Sequence, residues 1–190
     1  ERIPRLVHQG DAGHATTMTV VAGALPGADT PLLPPPESWA AQANSDVAIW
    51  TLKLEPGARW TLPAAASAGT RRMLYFFAGA SLRIGEAEQR SHAALEVVAG
   101  QDWLLENTGA DTVECLLLQG RPIGEPVAQY GPFVMNTQQE IMQAMQDYRR
   151  TQFGGWPWES SDPVHGNEVK RFARYPGAAV DEVSLSRATP

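Results

Sequence analysis

Between residues 14 and 120 the chain repeats one unit: a short run of β-branched, aromatic or aliphatic residues closed by Gly, Pro, Asn or Asp. Such runs read as strands and such closures as turns. The predicted strands are 16–24, 46–54, 59–62, 72–77, 81–84, 93–98, 103–106 and 112–118. Five of the fifteen prolines fall between Pro26 and Pro36, which must be a loop because proline cannot donate to a ladder. In the strand 46–54, Ala48, Trp50, Leu52 and Leu54 share one face. Val47, Ile49 and Thr51 share the other, so both sides are expected to be covered. In the last strand Val113, Cys115 and Leu117 alternate with Glu114, Leu116 and Leu118. Evenly spaced short strands without a repeat or a low-complexity linker predict a mainly β fold, a sandwich or jelly-roll β-barrel. Residues 1–15 read as an irregular, partly extended lead-in.

A different period begins after residue 136. Thr137-Gln138-Gln139-Glu140 has the spacing of a capping box, in which hydroxyl and carboxylate satisfy first-turn amides reciprocally. Ile141, Met145 and Tyr148 then fall on one helical stripe, and Arg149 and Arg150 suit the negative end of the helix dipole. Gly154-Gly155 is the expected stop. The segment beyond, with Trp156-Pro157-Trp158 and Asp162-Pro163-Val164-His165, reads as an irregular tail over the barrel, fraying from residue 181. The organisation expected is therefore a barrel with its lead-in over 1–136, a helix packed on it over 137–153, and a tail over 154–190.

Composition excludes several functions. A net charge of −6 with only two lysines, Lys53 and Lys170, argues against a phosphate-binding surface and direct nucleic-acid binding. No apolar run reaches the roughly 18 residues that span a bilayer, and no signal peptide opens the chain. A single cysteine, Cys115, in an apolar strand reads as a buried, inert thiol and fits a reducing, cytoplasmic setting. There is no Gly-x-Ser-x-Gly elbow and no phosphate-cradling glycine loop. Glu96, Glu106 and Glu114 alternate along strands as a solvated face does. His92 and Glu96 are too few for a metal site, and His8, His14 and His165 lie in segments read as irregular and far apart.

The run Gly120-Arg121-Pro122-Ile123-Gly124-Glu125-Pro126-Val127, followed by Tyr130-Gly131-Pro132-Phe133-Val134-Met135-Asn136-Thr137, resembles the C-terminal half of the pirin family. The resemblance covers most of the chain and is strongest from Gly120 to Gly155. That family is a bicupin, and the resemblance implies a C-terminal cupin barrel. A metal-binding cupin half carries Gly-x5-His-x-His with a Glu beyond, then Pro-x-Gly-x2-His-x3-Asn. Two imidazoles two apart on a strand, a third imidazole and a carboxylate make a divalent-metal site. Here Gly57, Gly79, Gly100 and Asn107 fill the scaffold positions. The four ligand positions fall on Pro63, Ala65, Arg72 and Trp103, none of which binds a metal through its side chain.

The resemblance therefore implies a non-catalytic structural or interaction half. Iron or another divalent metal would be held only by an N-terminal cupin domain of the same protein, with no cofactor in this chain. The chain reads as a domain fragment or a stand-alone relative, and a fragment is the expectation because it lacks an initiator Met and the His-rich N-terminal motif. Tyr130, Phe133, Met135, Trp156 and Trp158 are the candidate contacts with that half or with another protein partner. Whole pirin-like proteins are associated with quercetin 2,3-dioxygenase-type activity, and some with binding as transcription cofactors. The alternatives that stay open are an oxidoreductase of that type, or a small-molecule binder with Arg72, Tyr75 and Trp103 lining a cavity for an anionic aromatic ligand. A partner surface formed by helix and tail is the third reading.

Overall fold

The computed structural model describes residues 3–10 and 13–156, and the backbone of 171–173 and 181–183. The chain divides into two compact units, 1–124 and 125–190. The first holds two antiparallel sheets. One has six strands: β1 (Arg5–Gln9), β2 (Ala15–Ala22), β3 (Ala48–Leu54), β5 (Arg71–Ala78), β8 (Ala93–Glu96) and β10 (Val113–Gly120). They lie in the order β1-β2-β3-β10-β5-β8. The other has four: β4 (Arg59–Leu62), β6 (Leu82–Ile84), β7 (Ala87–Gln89) and β9 (Trp103–Asn107), in the order β4-β9-β6-β7.

The period-two alternation decides which face is inside. Met18, Val20, Trp50, Leu52, Leu54, Leu74, Phe76, Val113, Cys115 and Leu117 from the larger sheet meet Trp60, Leu62, Leu82 and Leu105 from the smaller one. All are buried in one cluster. Each fully buried aliphatic or aromatic side chain contributes roughly 1.5–3 kcal/mol of transfer free energy. The opposite face of β3 is only half covered, with Ile49 and Thr51 partly buried and Lys53 exposed, less than the double cover its apolar run suggests.

In the first unit two strands lie where the sequence pattern predicts none. β1 pairs with β2 from Arg5↔Thr19 to Gln9↔Ala15, so the lead-in is an edge strand rather than irregular chain. β7 forms within the expected polar turn at 85–90 and pairs with β6. Both are edge strands with mostly exposed side chains, so neither carries an alternation signal. The proline-rich stretch is loop, interrupted only by a 3-10 turn at Trp39–Ala41.

In the second unit, β11 (Ala128–Tyr130) and β12 (Phe133–Met135) form a hairpin turning at Gly131-Pro132. It feeds α1 (Gln138–Thr151). The capping box is formed. Thr137 Oγ1 accepts from the Glu140 N–H at 3.2 Å, and Glu140 accepts from the Thr137 N–H at 2.8 Å. The buried positions of α1 are Ile141 and Ala144, while Tyr148 is more open and joins Phe133 and Phe153 in an edge-to-face cluster with centroids 5.2–6.3 Å apart. The helix ends earlier than the Gly-Gly pair predicts, because Gln152 and Phe153 themselves adopt left-handed backbone. In the segment expected to be irregular, β13 (Arg171–Ala173) and β14 (Asp181–Val183) pair as a short antiparallel ribbon. Trp158 and His165 lie outside the described residues.

Gly79 illustrates how tightly the first unit is specified. Its φ is +100°, and a Cβ placed there would lie 2.8 Å from Val113 Cγ2 and 2.9 Å from Val113 Cα. Strain and overpacking then act together, so Gly79→Ala is expected to cost about 2–5 kcal/mol, read as a shift in the urea-unfolding midpoint with unchanged m.

Candidate functional site

The four positions aligned with metal ligands gather at one end of the first unit. β4 pairs with β9 so that Leu62 lies opposite Trp103. The loop beyond β4 continues along the same path: the Ala64 N–H donates to Asp102 at 2.7 Å, and the Ala65 N–H donates to the Ala99 carbonyl at 2.8 Å. From β5, Arg72 enters beneath this loop and donates through Nη1 to the Pro63 carbonyl at 2.7 Å. A guanidinium thus reaches from the carboxylate position to the backbone of the first imidazole position.

Arg72 is only 1 % exposed and is the largest fully buried side chain among the described residues. It is held by a polar chain. Nε and Nη2 donate to Gln119 Oε1 at 2.9 and 2.7 Å, a fork onto one amide oxygen. Gln119 in turn donates to the Asp46 carbonyl and carboxylate, each at 3.1 Å. Asp46 also accepts from the Thr70 hydroxyl, and from the Ser67 N–H at 3.3 Å. Burial lowers the Arg72 pKa from its ordinary value, while the charges of Asp46 and Asp102 oppose that shift. Arginine stays protonated at any accessible pH, so the group is a fixed internal cation. Asp46 has left-handed backbone (φ 51°), a conformation that Asp tolerates better than most residues.

The scaffold positions have plain structural work. Asn107, 1 % exposed, donates to the Leu54 and Asp111 carbonyls at 2.9 and 2.8 Å and accepts from the Gly109 N–H at 3.0 Å. Its backbone also exchanges hydrogen bonds with the turn at Gly57-Ala58. Trp103 is partly buried against the core and donates from Nε1 to the Val98 carbonyl at 2.9 Å. It lines a cavity of about 200 Å³ with Ile84, Leu95 and Val97. Arg72 and Tyr75 do not line that cavity. The alternation of β5 turns Tyr75 to the opposite face from Arg72, where it is 37 % exposed, so Tyr75 does not share an interior with it. Arg72 is too deeply buried to meet a ligand without unfolding of its network.

The proposed contact residues divide as well. Tyr130 and Trp156 are exposed; Phe133 and Met135 are half-buried, and Phe133 is engaged with Tyr148 and Phe153. His92 is exposed and edge-on to Phe76 at 5.3 Å. His8 and His14, read as separate, share one cleft because β1 and β2 fold back through a turn in which the Gly10 N–H donates to the His14 carbonyl at 3.1 Å. Glu106 and Glu114 pair with Arg83 and Lys53 on the outer surface. No set of three or more His, Cys, Asp or Glu among the described residues is arranged to hold a metal. No helix among them is long and apolar enough to cross a membrane.

Two facing antiparallel sheets with this strand order form a cupin-type β-sandwich. The family model of the Pirin C-terminal cupin domain matches residues 49–154. The chain belongs to the pirin family. Human Pirin is 36 % identical over 106 residues, which make up 54 % of this chain and 36 % of that protein. A Pseudomonas aeruginosa protein provisionally named quercetin 2,3-dioxygenase is 32 % identical over 154 residues, 78 % of this chain and 49 % of the relative. The crystal structure of quercetin 2,3-dioxygenase from Acinetobacter baumannii superposes with a TM-score of 0.60 at 28 % identity, covering 80 % of this chain and 48 % of that one. The chain spans about half the length of these relatives or less.

Cys115 gives a direct test of the interior. It is fully buried, and desolvation pushes its thiol up to about 12. Since the thiolate is the reactive form, iodoacetamide at pH 8 is expected to leave Cys115 unmodified in the folded protein and to alkylate it fully in urea, as read by mass spectrometry.

Proposed function

We propose that this chain is the non-catalytic half of a two-cupin pirin-like protein. The observation that carries the proposal is the buried Arg72 at the carboxylate-ligand position, bonded to the Pro63 carbonyl and to Gln119. A fixed cation repels a divalent metal, and Pro63, Ala65 and Trp103 offer no imidazole. The residues present do not fit a metal. Its place as a crosslink between loop and strands is taken by the guanidinium, which ties the loop after β4 to β5 and β10. Any metal-dependent oxygenation by the whole protein then belongs to a second, N-terminal cupin.

The surface that would receive that second half is the outer face of the six-stranded sheet. Cross-strand pairs Leu116↔Tyr75 and Leu118↔Met73 place apolar side chains side by side there. Ile49 joins them from β3 opposite Leu118, and Phe77 follows on the same face of β5, 49 % exposed. Contiguous apolar area of this kind is uncommon on a surface without a partner. The occupant is a cupin domain of the same protein, because more than half of each of these relatives lies outside the region that this chain matches. Tyr130 and Trp156 are further contacts in the second unit, with Phe133 and Met135 supporting them from the hairpin.

Two measurements test the reading. After incubation with Fe(II), Mn(II) or Ni(II) and gel filtration, the chain is expected to carry metal at blank level; one tightly held ion per chain would overturn it. Coexpressed with the N-terminal half of a pirin-like protein, it is expected to copurify as a one-to-one complex. Phe77→Asp should weaken that complex by about tenfold or more, the loss expected when a central apolar contact is replaced by a charge.

A further inference from the structure

A cleft on the first unit gathers an arginine and two histidines in a chain of negative net charge. It lies beside the β1–β2 hairpin and β4, has a volume of about 540 Å³, and is lined by His8, His14, Arg59, Thr61, Trp60 and Leu104 with Gly10 and Gly57 at its floor and rim. That volume is in the range of small-molecule sites. The chain carries a net charge of −6, yet among the described residues no carboxylate lines the cleft.

Among the described residues, two neighbouring acids are engaged elsewhere. Glu106 stands opposite Arg59 in the β4–β9 register, where an ion pair would be ordinary. Its carboxylate instead binds Arg83 at 3.1 Å. Glu55, close in sequence to the Gly57 turn, accepts from the Ala15 N–H at 2.8 Å. Among the described residues, His8, His14 and Arg59 have no hydrogen bond or ion pair from their side chains. Three nitrogen-bearing groups thus converge on one cleft with unused donors. The Thr61 hydroxyl adds a fourth polar group, and Leu104, opposite Thr61 in the register, supplies an apolar wall.

We propose that this cleft binds a small organic carboxylate, its anionic head held by Arg59, His8 and His14 and its apolar body set against Leu104. The guanidinium supplies a planar fork for the carboxylate, and the imidazoles supply further N–H donors. None of these residues belongs to the Arg72 network, so the site is independent of the question of metal binding and of the sheet face proposed for the second cupin.

The test is an NMR titration of the full 190-residue chain, following the His8 and His14 ring protons, with benzoate as probe and benzamide as its neutral counterpart. Saturable shifts of both histidines with benzoate, and at least tenfold weaker response to benzamide, are expected. Arg59→Gln should weaken benzoate at least tenfold while leaving the amide spectrum of the core strands in place. His14→Gln should weaken it less. Inorganic phosphate is expected to bind more weakly than benzoate because it cannot use the apolar wall. No saturable shift with benzoate, equal response to benzamide, or unchanged affinity in Arg59→Gln would overturn the proposal; so would phosphate binding as tightly as benzoate.

Discussion

One buried cation organises the end of the barrel where cupin chemistry is normally placed. Moving an unpaired charge from water to a protein interior costs several kcal/mol, so a buried guanidinium persists only if its donors are met and a counter-charge is near. Arg72 meets both conditions through Gln119, which passes the interaction on to Asp46, and through the Pro63 carbonyl. The arrangement draws on β5, the end of β10, the residue before β3 and the loop after β4. Its satisfaction therefore requires that four separate parts of the chain arrive together, which makes the network a device for specifying the fold as much as for stabilising it.

The packing beneath it follows simpler rules. Met18 and Val20 of β2, Trp50, Leu52 and Leu54 of β3, Leu74 and Phe76 of β5, and Val113, Cys115 and Leu117 of β10 face inward, and the smaller sheet closes over them with Trp60, Leu62, Leu82 and Leu105. Asn107 and Gly79 then fix the turns at the opposite ends of those strands, one through three hydrogen bonds and the other through a backbone that admits no Cβ. These are scaffold demands of the barrel. On the proposed motif alignment, they explain how the scaffold positions of a cupin can remain while Pro63, Ala65, Arg72 and Trp103 stand at the ligand positions.

Much of this was legible in the residues. Alternation placed Val113, Cys115 and Leu117 inside, and the Thr137-x-x-Glu140 spacing gave the helix start. Motif spacing singled out Arg72 as the residue at the carboxylate position. What spacing could not supply was the partner set: Gln119 and Asp46 are 73 residues apart, both polar and unremarkable in composition, and meet only because β3 and β10 pair. Edge strands escaped for a related reason. β1 and β7 bury little, so hydrophobic period carries no information about them, and the closeness of His8 to His14 depends on β1 being a strand at all. Tyr75 was misplaced because an aromatic run, Tyr75-Phe76-Phe77, conceals which phase faces inward. The buried Leu74 and Phe76 set that phase.

The central claim is that Arg72 and Gln119 act as one unit in place of a metal-centred crosslink. A double-mutant cycle with Arg72→Met, Gln119→Leu and the pair, measured by urea unfolding, tests it most directly. Each single change leaves a buried partner unsatisfied and is expected to cost about 2–4 kcal/mol, whereas the double change removes both ends together. The account predicts that the double variant is more stable than the sum of the single losses implies by at least about 1.5 kcal/mol, within the range for residues sharing a network. Strict additivity of the two losses would contradict it.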